Sequence, residues 1–537
     1  MQRIAVHLDA PGLSDAAEGL TDYLRRCGHA VSTGLDGDLV IVIASGAPSE
    51  TLEDQLLAVA QSGRSVLLLG PTLDAWRSAD RLLDAAGVLP GALTPVHATR
   101  IRPGFAGQVG VRSGGDVLLT DAWPLLDKVA DDVEVLLTAN VHLVDHPVAT
   151  ARLGVGTLTL GSRPDVLRDP AYQRLVHRVA RHLLGLVDAP AARVGILGYG
   201  AIGHEHNKAI QAVEGLELSA ICDTNPDRID AARSLAPDVA AHADGHALLA
   251  DPDVDVVIVS TWPSTHAEWA LSALRAGKHV VVEKPFCITT AEADAMVATA
   301  AEGERALAVY QNRRWDPDYL ALKRVVRSGA IGEVFHYESF IGSYGHPCNF
   351  WHSDAKVSGG AIYDWGSHYL DWLLDLVPGR VDWVSATTQK RVWHDVTNAD
   401  HSVVRVHFDD GLDAEFTHSD VAAAMKPKWY VLGTEGAIVG TWRQEKVVAR
   451  SAIGTLEEDL LAVSDSPARL QLHSADGSVT ELAIPPAPPQ PFHRELADHL
   501  LTGAPMSVTP QGSRRNIAVM EAATDSAALG GLPVNPL

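Results

Sequence analysis

The chain is poor in cysteine, with four among its 537 residues, and none shows the CxxC spacing of a metal or redox motif. We therefore expect neither a metal site nor a disulfide framework. No apolar run approaches the roughly 18 residues that span a membrane, and the opening MQRIAVHLDAPG lacks the basic and apolar segments of a secretory signal. We expect a cytoplasmic protein, not bound to a membrane, with reduced thiols at Cys27, Cys222, Cys287 and Cys348.

Positive charge is also scarce. The chain has 43 Lys and Arg residues against 67 Asp and Glu, which gives a formal net charge of -24. Charge of this sign repels phosphate backbones at long range, so a nucleic-acid partner is not expected. The composition, with 46% hydrophobic and 20% charged residues, is typical of a globular protein. Because a domain usually holds roughly 100 to 200 residues, we expect three folded units.

The order of apolar segments predicts an α/β protein followed by an α+β region. Residues 1–187 alternate short apolar runs with helical patterns, which predicts an α/β domain with a largely parallel sheet. After a linker at 188–192 the pattern restarts, and residues 190–312 are predicted to form a doubly wound domain. From about Val334 apolar and polar residues alternate, as in half-buried strands. Residues 313–537 are predicted to form an α+β domain with a mostly antiparallel open sheet and C-terminal helices.

A glycine-rich segment, Gly198–Gly203 (GYGAIG), follows a predicted strand and opens a predicted helix. Its glycines permit a tight turn and let a pyrophosphate approach the free N–H groups of the helix N-terminus. Asp223 ends the next predicted strand, at the spacing that brings a carboxylate to the adenine ribose hydroxyls. This context predicts a Rossmann domain that binds NAD. The alternative is a glycine-rich turn in a domain without a ligand.

Four motifs in order give the chain from about residue 190 a family resemblance. Gly198–Gly203 is followed by His206, and 279–285 reads HVVVEKP. Then 312–316 reads NRRWD and 359–371 reads GGAIYDWGSHYLD. Together they resemble the Gfo/Idh/MocA oxidoreductases. The resemblance implies a cis peptide bond between the Lys and Pro of the EKP motif, a carbohydrate or cyclitol substrate, and a homo-oligomer that pairs through its open sheets.

Lys284, at the carboxyl end of a predicted parallel strand, can donate to a substrate oxygen and stabilise developing negative charge. Asp364, His368 and Asp371 are spaced i, i+4 and i+7, so a helix puts them on one side. Such a set suits acid/base work or a metal, and we favour acid/base work because no further His, Asp or Glu cluster completes a metal shell. The resemblance assigns proton transfer to His368. Asp364 is expected to orient the imidazole and favour its protonated form, and Asp371 to be structural.

The expected contacts of the cofactor and the substrate follow from these motifs. His266 either starts a helix or contacts the ligand, and Trp262 stands where many relatives of the family have a small residue or proline. Tryptophans near the motifs offer flat faces on which sugar C–H groups pack. We expect cofactor contacts from Gly198, Tyr199, Gly200, Ala201, Ile202, Gly203, Asp223, Thr224, Arg228, Thr261, Trp262, His266, Glu283 and Lys284. We expect substrate contacts from Lys284, Arg314, Trp315, Trp351, Tyr363, Asp364 and His368.

Residues 145–185, which read DHPV at the start and DPAYQRL further on, resemble the C-terminal part of ThuA-like domains. These share the flavodoxin-like fold of class I glutamine amidotransferases. Amidotransfer needs a cysteine on a strand-to-helix elbow, activated by a histidine. Pro71 and Thr72 stand where that nucleophile would be, and we interpret Cys27 and His146 as structural. The resemblance therefore implies an accessory domain without glutaminase activity.

The motifs together predict an NAD-dependent oxidoreductase that moves a hydride between nicotinamide and a ring hydroxyl of a sugar, glycoside or cyclitol. NAD is preferred over NADP because the carboxylate of Asp223 repels a 2′-phosphate, although Arg228 can swing toward one. Two alternatives stay open. The first is a redox-neutral NAD-dependent glycosidase or lyase of the same family, and the second is a sensor that binds dinucleotide without catalysis.

Overall fold

The computed structural model describes residues 2–77, 79–103, 117–186, 191–348, 350–443, 445–450, 457–462 and 467–536. The chain divides into two compact units. The first comprises Met1–Ala192, Ile210–Leu216 and Pro488–Pro505, and the second Arg193–Ala209, Glu217–Ala487 and Met506–Leu537. The predicted boundary between residues 187 and 190 lies outside the described residues and stays a prediction.

The first unit alternates strands and helices only up to residue 86, and seven strands then follow one another, so the alternation predicted over residues 1–187 is found only in its first part. The start of helix α6 (Pro170–Leu183) follows from local residues. The side chain of Asp169 accepts a hydrogen bond from the N–H of Ala171, and Pro170 occupies the first turn, where no N–H is needed. The elements are β1 (Arg3–Asp9), α1 (Ser14–Arg26), β2 (Ala30–Thr33), β3 (Leu39–Ala44), α2 (Glu50–Gln61), β4 (Ser65–Leu69), α3 (Gly70–Ala75), α4 (Asp80–Ala86), β5 (Val88–Leu93), β6 (His97–Pro103), β7 (Leu118–Asp121), β8 (Pro124–Val129), β9 (Glu134–Val141), β10 (Val144–Arg152), β11 (Val155–Leu158), α5 (Pro164–Arg168) and α6 (Pro170–Leu183).

One nine-stranded sheet organises this unit, in the order β2-β1-β3-β4-β11-β10-β9-β6-β7. The first five strands are parallel, and the others join antiparallel. The expected parallel sheet is therefore only about half of the observed one. The parallel strands have the doubly wound order 2-1-3-4-5 when numbered among themselves. The resemblance of residues 145–185 to ThuA-like domains stays a prediction.

Both faces of the sheet are covered. Ile4 and Val6 pack into one apolar cluster and Ala5 into another, and Ile41 and Val42 alternate in the same way. Side chains of a strand point alternately to its two faces, so a strand that is apolar throughout needs a core on each side. This explains why the parallel strands read as unbroken apolar runs.

Stability of the first unit is expected to depend on the pH through His177 on α6. Burial, with the nearby rings and guanidinium groups of His29, Arg181 and Arg178, lowers the pKa of His177 to about 3. The unfolded chain binds this proton below about pH 6.5 and the folded one does not, so stability falls as the pH falls through 6.5. Between about pH 7.5 and 5 the loss is about 2 kcal/mol.

Urea unfolding of wild type and His177→Gln at both pH values measures this difference, since glutamine does not titrate. The exposed His142 has φ 50°, a backbone conformation that asparagine accepts, so His142→Asn is the matched control. Equal pH dependence in wild type and His177→Gln would contradict the assignment of the loss to His177.

The second unit begins with a six-stranded sheet in the order β14-β13-β12-β15-β16-β17. This is the order of dinucleotide-binding sheets, in which the strand order reverses beside the first strand. The elements are β12 (Ala192–Leu197), α7 (Ala201–Ala212), β13 (Leu216–Cys222), α8 (Pro226–Leu235), β14 (Ala240–His242), α9 (Gly245–Ala250), β15 (Val256–Val259), α10 (His266–Arg275), β16 (His279–Glu283), α11 (Thr290–Glu302) and β17 (Leu307–Tyr310). The predicted Rossmann domain is confirmed.

An eight-stranded sheet follows, in the order β19-β20-β21-β18-β22-β23-β26-β27. Only β18 and β21 pair in parallel, as the alternating pattern predicts for a mostly antiparallel sheet. The elements are α12 (Pro317–Arg327), β18 (Val334–Gly342), α13 (Ala355–Ser358), α14 (Ala361–Leu376), β19 (Val381–Gln389), β20 (His401–Phe408), β21 (Asp413–Ser419), β22 (Trp429–Gly433), β23 (Gly436–Thr441), β24 (Glu445–Arg450), β25 (Glu457–Ala462), β26 (Arg469–Ser474), β27 (Val479–Glu481) and α16 (Pro510–Ala528). Helix α15 (Pro491–Thr502) comes before α16 in the chain but belongs to the first unit.

Helices α14 and α16 pack against each other, and they join the two parts of the second unit. Helix α14 contacts β21 of the eight-stranded sheet, and α16 contacts both β19 and α11. Glu521 of α16 accepts hydrogen bonds from the backbone N–H and the hydroxyl of Thr290 at the start of α11. The face of α14 that carries the sequence motif is therefore held in a fixed position. Among the helices of the described ranges, none is both long and apolar enough to cross a membrane.

Candidate active site

The glycine segment forms a tight turn between β12 and α7. Gly198 has φ +91°, and a Cβ there would lie 2.7 Å from the carbonyl oxygen of Ser260. A Cβ on Gly203 would lie 2.8 Å from the carbonyl oxygen of Gly198. Neither position has room for a side chain, so the backbone N–H groups at the start of α7 stay open to a ligand. This geometry fits the pyrophosphate of a dinucleotide.

Asp223, the residue after β13, lies against this turn. Its carboxylate accepts hydrogen bonds from the N–H of Tyr199 (2.7 Å) and of Asn225 (2.8 Å). Nη1 of Arg228 lies 3.4 Å from Oδ2 of the same carboxylate. Thr224 beside it is exposed. Asp223 therefore orders the turn, and the sequence predicted it only as a ribose contact.

Glu283 joins two of the sequence motifs. Its Oε1 lies 2.7 Å from Nε2 of His206 on α7, and its Oε2 accepts a hydrogen bond from the N–H of Lys284. The ring of His206 packs against that of Tyr310 at 4.5 Å. These contacts attach the end of β16 to the nucleotide helix. The carboxylate of Glu283 was expected to contact the cofactor, but both of its oxygens make contacts within the protein.

Lys284 follows β16 and points toward α14. Its Nζ donates to Oδ1 of Asp364 (3.0 Å) and lies 3.3 Å from the carbonyl oxygen of that residue. Burial acts to raise the pKa of Asp364, but the charge and hydrogen bond of Lys284, together with the nearby His352 and His418, outweigh it and hold this pKa below its usual range. The pair is a charged donor and a charged acceptor at the carboxyl edge of the parallel sheet. The Lys284–Pro285 bond is cis, as predicted.

His368 lies one helical turn after Asp364, and only 4% of its surface is exposed. Its Nδ1 has no hydrogen-bond partner in the described part of the chain. Burial, together with the charges of Lys284 and Arg313, lowers the pKa of His368 well below its usual value. The expectation that Asp364 orients this imidazole and favours its protonated form is wrong, because Asp364 binds Lys284 and the surroundings of His368 favour the neutral ring.

Two further histidines lie near Asp364, and sequence analysis did not find them. His352 and His418 both lie within electrostatic reach of the Asp364 carboxylate. The ring of His352 stacks on Trp351, with centroids 3.6 Å apart, and burial lowers its pKa. His418, in β21, is 5% exposed. These residues come from separate elements, so no spacing along the chain could have indicated them.

Other expected site residues make contacts within the protein. Arg314 binds Asp371 (2.8 Å from Nη2) and Asp375 (2.9 Å from Nη1), which agrees with the structural role predicted for Asp371 and leaves Arg314 outside the site. The hydroxyl of Tyr363 donates to the carbonyl oxygen of Ile288 at 2.6 Å. These two residues were predicted to contact the substrate. Their polar groups are instead satisfied by protein, so we leave both out of the proposed substrate site.

The remaining predicted contacts divide between the surface and the interior. Trp262 is 55% exposed after β15, next to Thr261. His266 is 1% exposed, starts α10 and has Nδ1 2.8 Å from the carbonyl oxygen of Pro285. Trp315 packs against the core. Of the two roles left open for His266, the structure shows the helix start.

Known proteins are similar to this part of the chain in sequence and in structure. A family model described as "Oxidoreductase family, NAD-binding Rossmann fold" matches residues 192–311, and one described as "GFO/IDH/MocA C-terminal domain" matches residues 319–439. An uncharacterized oxidoreductase of Schizosaccharomyces pombe is 40% identical over 147 residues, which are 27% of this chain and 40% of that protein. An uncharacterized oxidoreductase of Escherichia coli matches over 53% of its length. The chain thus spans about half the length of the curated relatives matched at these identities.

Two longer matches cover nearly the whole of the other protein. The scyllo-inositol 2-dehydrogenase (NADP(+)) of Bacillus subtilis is 27% identical over 343 residues, 62% of this chain and 93% of that one. The crystal structure of an NAD-binding protein from Listeria innocua superposes with a TM-score of 0.53 at 28% identity, over 64% of this chain and 96% of that one. The chain therefore contains an NAD-binding Rossmann domain of the oxidoreductase family at residues 192–311 and a GFO/IDH/MocA C-terminal domain at residues 319–439.

Proposed function

We propose that the protein is an NAD-dependent dehydrogenase that oxidises a ring CH–OH group of a cyclitol or sugar. The observation that carries the proposal is the Lys284–Asp364 ion pair, which lies at the carboxyl edge of the nucleotide-binding sheet, with the buried, neutral His368 one turn further along α14. Ligands of open α/β sheets bind at this edge. A charged donor and a neutral base are the two groups that alcohol oxidation requires.

When bound, nicotinamide supplies the acceptor for the hydride at its C4. The chain's own residues handle the oxygen and its proton. Lys284 donates a charge-assisted hydrogen bond to the substrate oxygen and so stabilises the negative charge that develops as the O–H bond breaks. His368 accepts the proton and returns it in the reverse reaction. Asp364 holds the ammonium of Lys284 in place, which is a positioning role.

The substrate class follows from similarity and from the aromatic residues near the site. The Bacillus subtilis relative is named as a scyllo-inositol 2-dehydrogenase. Trp351, stacked on His352 beside Asp364, offers a flat face to the C–H groups of a ring. We therefore propose a cyclitol or pyranose ring as the substrate, with Trp351 among its contacts.

Reduction of NAD⁺ and NADP⁺ by a panel of inositols, sugars, glycosides and sugar acids tests the proposal. Formation of the reduced cofactor together with the keto product is the expected result. Cleavage of a glycoside without net reduction would instead indicate a redox-neutral glycosidase or lyase. Binding of the dinucleotide without turnover of any compound would contradict catalysis and indicate a sensor.

We expect NAD to be preferred over NADP by at least about tenfold in kcat/KM, because the carboxylate of Asp223 would lie against a 2′-phosphate and repel it. Asp223→Ser should narrow that ratio. The exposed Asp227, four residues further along the chain, provides the control variant Asp227→Ser, which should leave the ratio unchanged. Equal efficiency with both cofactors in the wild type would show that Arg228 compensates for Asp223.

The N-terminal residues 1–187 are proposed to be an accessory ThuA-like domain without glutaminase activity. Burial raises the pKa of Cys27 to about 11, which keeps its thiol protonated near neutrality. Only the thiolate is an effective nucleophile, and this supports the structural interpretation of Cys27.

We also propose a homo-oligomer that pairs through the open face of the eight-stranded sheet.

A further inference from the structure

Two neighbouring strands of the eight-stranded sheet carry a polar pair on the buried face, at the position where the apolar core would continue. On β20 and β21, Val404 and Phe416 lie directly opposite each other and belong to the core. The next pair on this face is Ser402 and His418, which are 0% and 5% exposed. Opposite side chains on one face lie close together, with Cβ atoms about 4.5 to 5.5 Å apart. Both strands therefore interrupt the core at the same place.

Protein groups do not satisfy the hydrogen-bonding atoms of this pair. Oγ of Ser402 and Nδ1 of His418 are both buried, and neither has a hydrogen-bond partner among the residues that the structure describes. The other ring nitrogen of His418, Nε2, lies 3.4 Å from Oδ1 of Asp420. Buried polar atoms are nearly always hydrogen-bonded, because an unpaired one is unfavourable. Two such atoms on facing residues indicate that a water or a ligand group binds between them.

The pair faces the start of α14, which carries the proposed site. A Cβ on Gly366 would lie 3.5 Å from the ring of Phe416, and the ring of Tyr369 stacks on that of Phe416 with centroids 5.3 Å apart. His418 lies two residues beyond Phe416 on the same face, within electrostatic reach of the Asp364 carboxylate. All of these residues belong to the second unit. The polar pair therefore borders the proposed substrate site.

The two unpaired atoms suit a hydroxyl group. A carboxylate accepts hydrogen bonds but cannot donate one, so Asp420 favours the hydrogen of a neutral imidazole on Nε2 and leaves Nδ1 of His418 as an acceptor. The hydroxyl of Ser402 can donate. An alcohol O–H can donate to Nδ1 and accept from Ser402 at the same time. A ligand carboxylate at this position has no hydrogen to give to Nδ1.

We propose that Ser402 and His418 bind a second hydroxyl group of the substrate ring, one that is not oxidised. This role rests on the proposed dehydrogenase function and selects a polyhydroxylated ring over a ring that lacks the hydroxyl or has a carboxylate there. A site built to form hydrogen bonds with a hydroxyl rejects an analogue without it, because its own buried atoms then stay unpaired. The pair thus determines specificity, while Lys284 and His368 act on the hydroxyl that reacts.

Binding of ring compounds to the full-length protein saturated with NADH, followed by the fluorescence of NADH, tests this pair. The probes are myo-inositol and D-glucose, each with its monodeoxy analogues. We expect wild type to bind at least one parent compound, and one monodeoxy analogue of that parent about tenfold more weakly. In His418→Leu the parent should bind about tenfold more weakly, and that analogue should bind as well as the parent.

His418→Asn is the matched variant, because asparagine and leucine have nearly the same shape and both lose the contact with Asp420. Only asparagine keeps a polar atom near the position of Nδ1, so His418→Asn should restore most of the discrimination. Ser402→Ala should reduce the discrimination as His418→Leu does, and it decides the question if His418→Leu does not fold. Ser385, in β19, lies between the core residues Val384 and Ala386 and so points to the other face of the sheet. Ser385→Ala is the control and should bind like wild type.

The outcomes separate this pair from the proposed reaction. Equal weakening of the parent and all its analogues in His418→Leu and Ser402→Ala would overturn the proposal and show that the two residues are structural. Binding of neither parent compound would overturn it as well. Discrimination that depends on Ser402 and His418, without turnover of any compound, would support the pair and contradict the dehydrogenase. Turnover with discrimination that both substitutions leave unchanged would contradict the pair alone.

Discussion

Replacing Lys284 with alanine should lower kcat for alcohol oxidation by at least about 100-fold, because removal of one donor to a developing oxyanion typically lowers the rate 10²- to 10³-fold. Lys284 is the charged donor nearest Asp364 in the site, with its Nζ 3.0 Å from that carboxylate. It lies outside the glycine turn, Gly198–Gly203, that is proposed to hold the pyrophosphate. The affinity for NAD should therefore stay within a few-fold of wild type, measured by titration of the intrinsic fluorescence.

Two controls separate the loss of the donor from a loss of structure. Lys284→Ala leaves the partly buried Asp364 without its cation, so the double variant Lys284→Ala/Asp364→Asn removes both charges and should be as slow but at least as stable. Lys128→Ala removes an exposed lysine of β8 and should turn over like wild type. A near wild-type rate in Lys284→Ala would show that another group polarises the substrate oxygen.

Much of the fold follows from local sequence patterns. A glycine turn between a strand and a helix is specified by adjacent residues, and the alternation after Val334 directly reflects one buried face. The antiparallel half of the first sheet was not predicted, because strands such as β9 and β10 look alike in either direction of pairing. Sequence also gave no sign that Pro488–Pro505, which follows the second unit's sheet along the chain, belongs to the first unit. That grouping depends on tertiary contacts alone.

The residues of the candidate site could be predicted from the sequence, but the contacts between them could not. The i, i+4 spacing put Asp364 and His368 on one side of a helix, and motif resemblance indicated Lys284. Which partner each group would have could not be read from the sequence, since Asp364 had both an imidazole and an ammonium within reach. Asp364 pairs with the ammonium of Lys284, which is the stronger of the two charge interactions. Arg314 likewise has two carboxylates of α14 beside it, so its guanidinium is not available to a substrate.

The pH dependence of the wild-type reaction tests whether the imidazole of His368 is neutral, and it complements the replacement of His368. An ordinary histidine base loses activity below about pH 6.5 because it becomes protonated. Burial, with Lys284 and Arg313, lowers the pKa of His368 well below that value, so the ring stays neutral and able to accept a proton at a lower pH. A weak base is sufficient here because the ammonium of Lys284 stabilises the alkoxide that forms.

His368→Gln should therefore lower kcat by about 10²- to 10⁴-fold, the usual effect of losing a positioned acid/base group, while NAD affinity stays within a few-fold. Glutamine keeps the polarity and much of the volume of the ring but cannot take up a proton near neutrality. In wild type, the rate of alcohol oxidation should not fall as the pH is lowered through 6.5. The exposed His394 provides the control, and His394→Gln should behave as wild type in both respects. A wild-type rate that halves near pH 6.5, with His368→Gln still active, would mean that a different group accepts the proton.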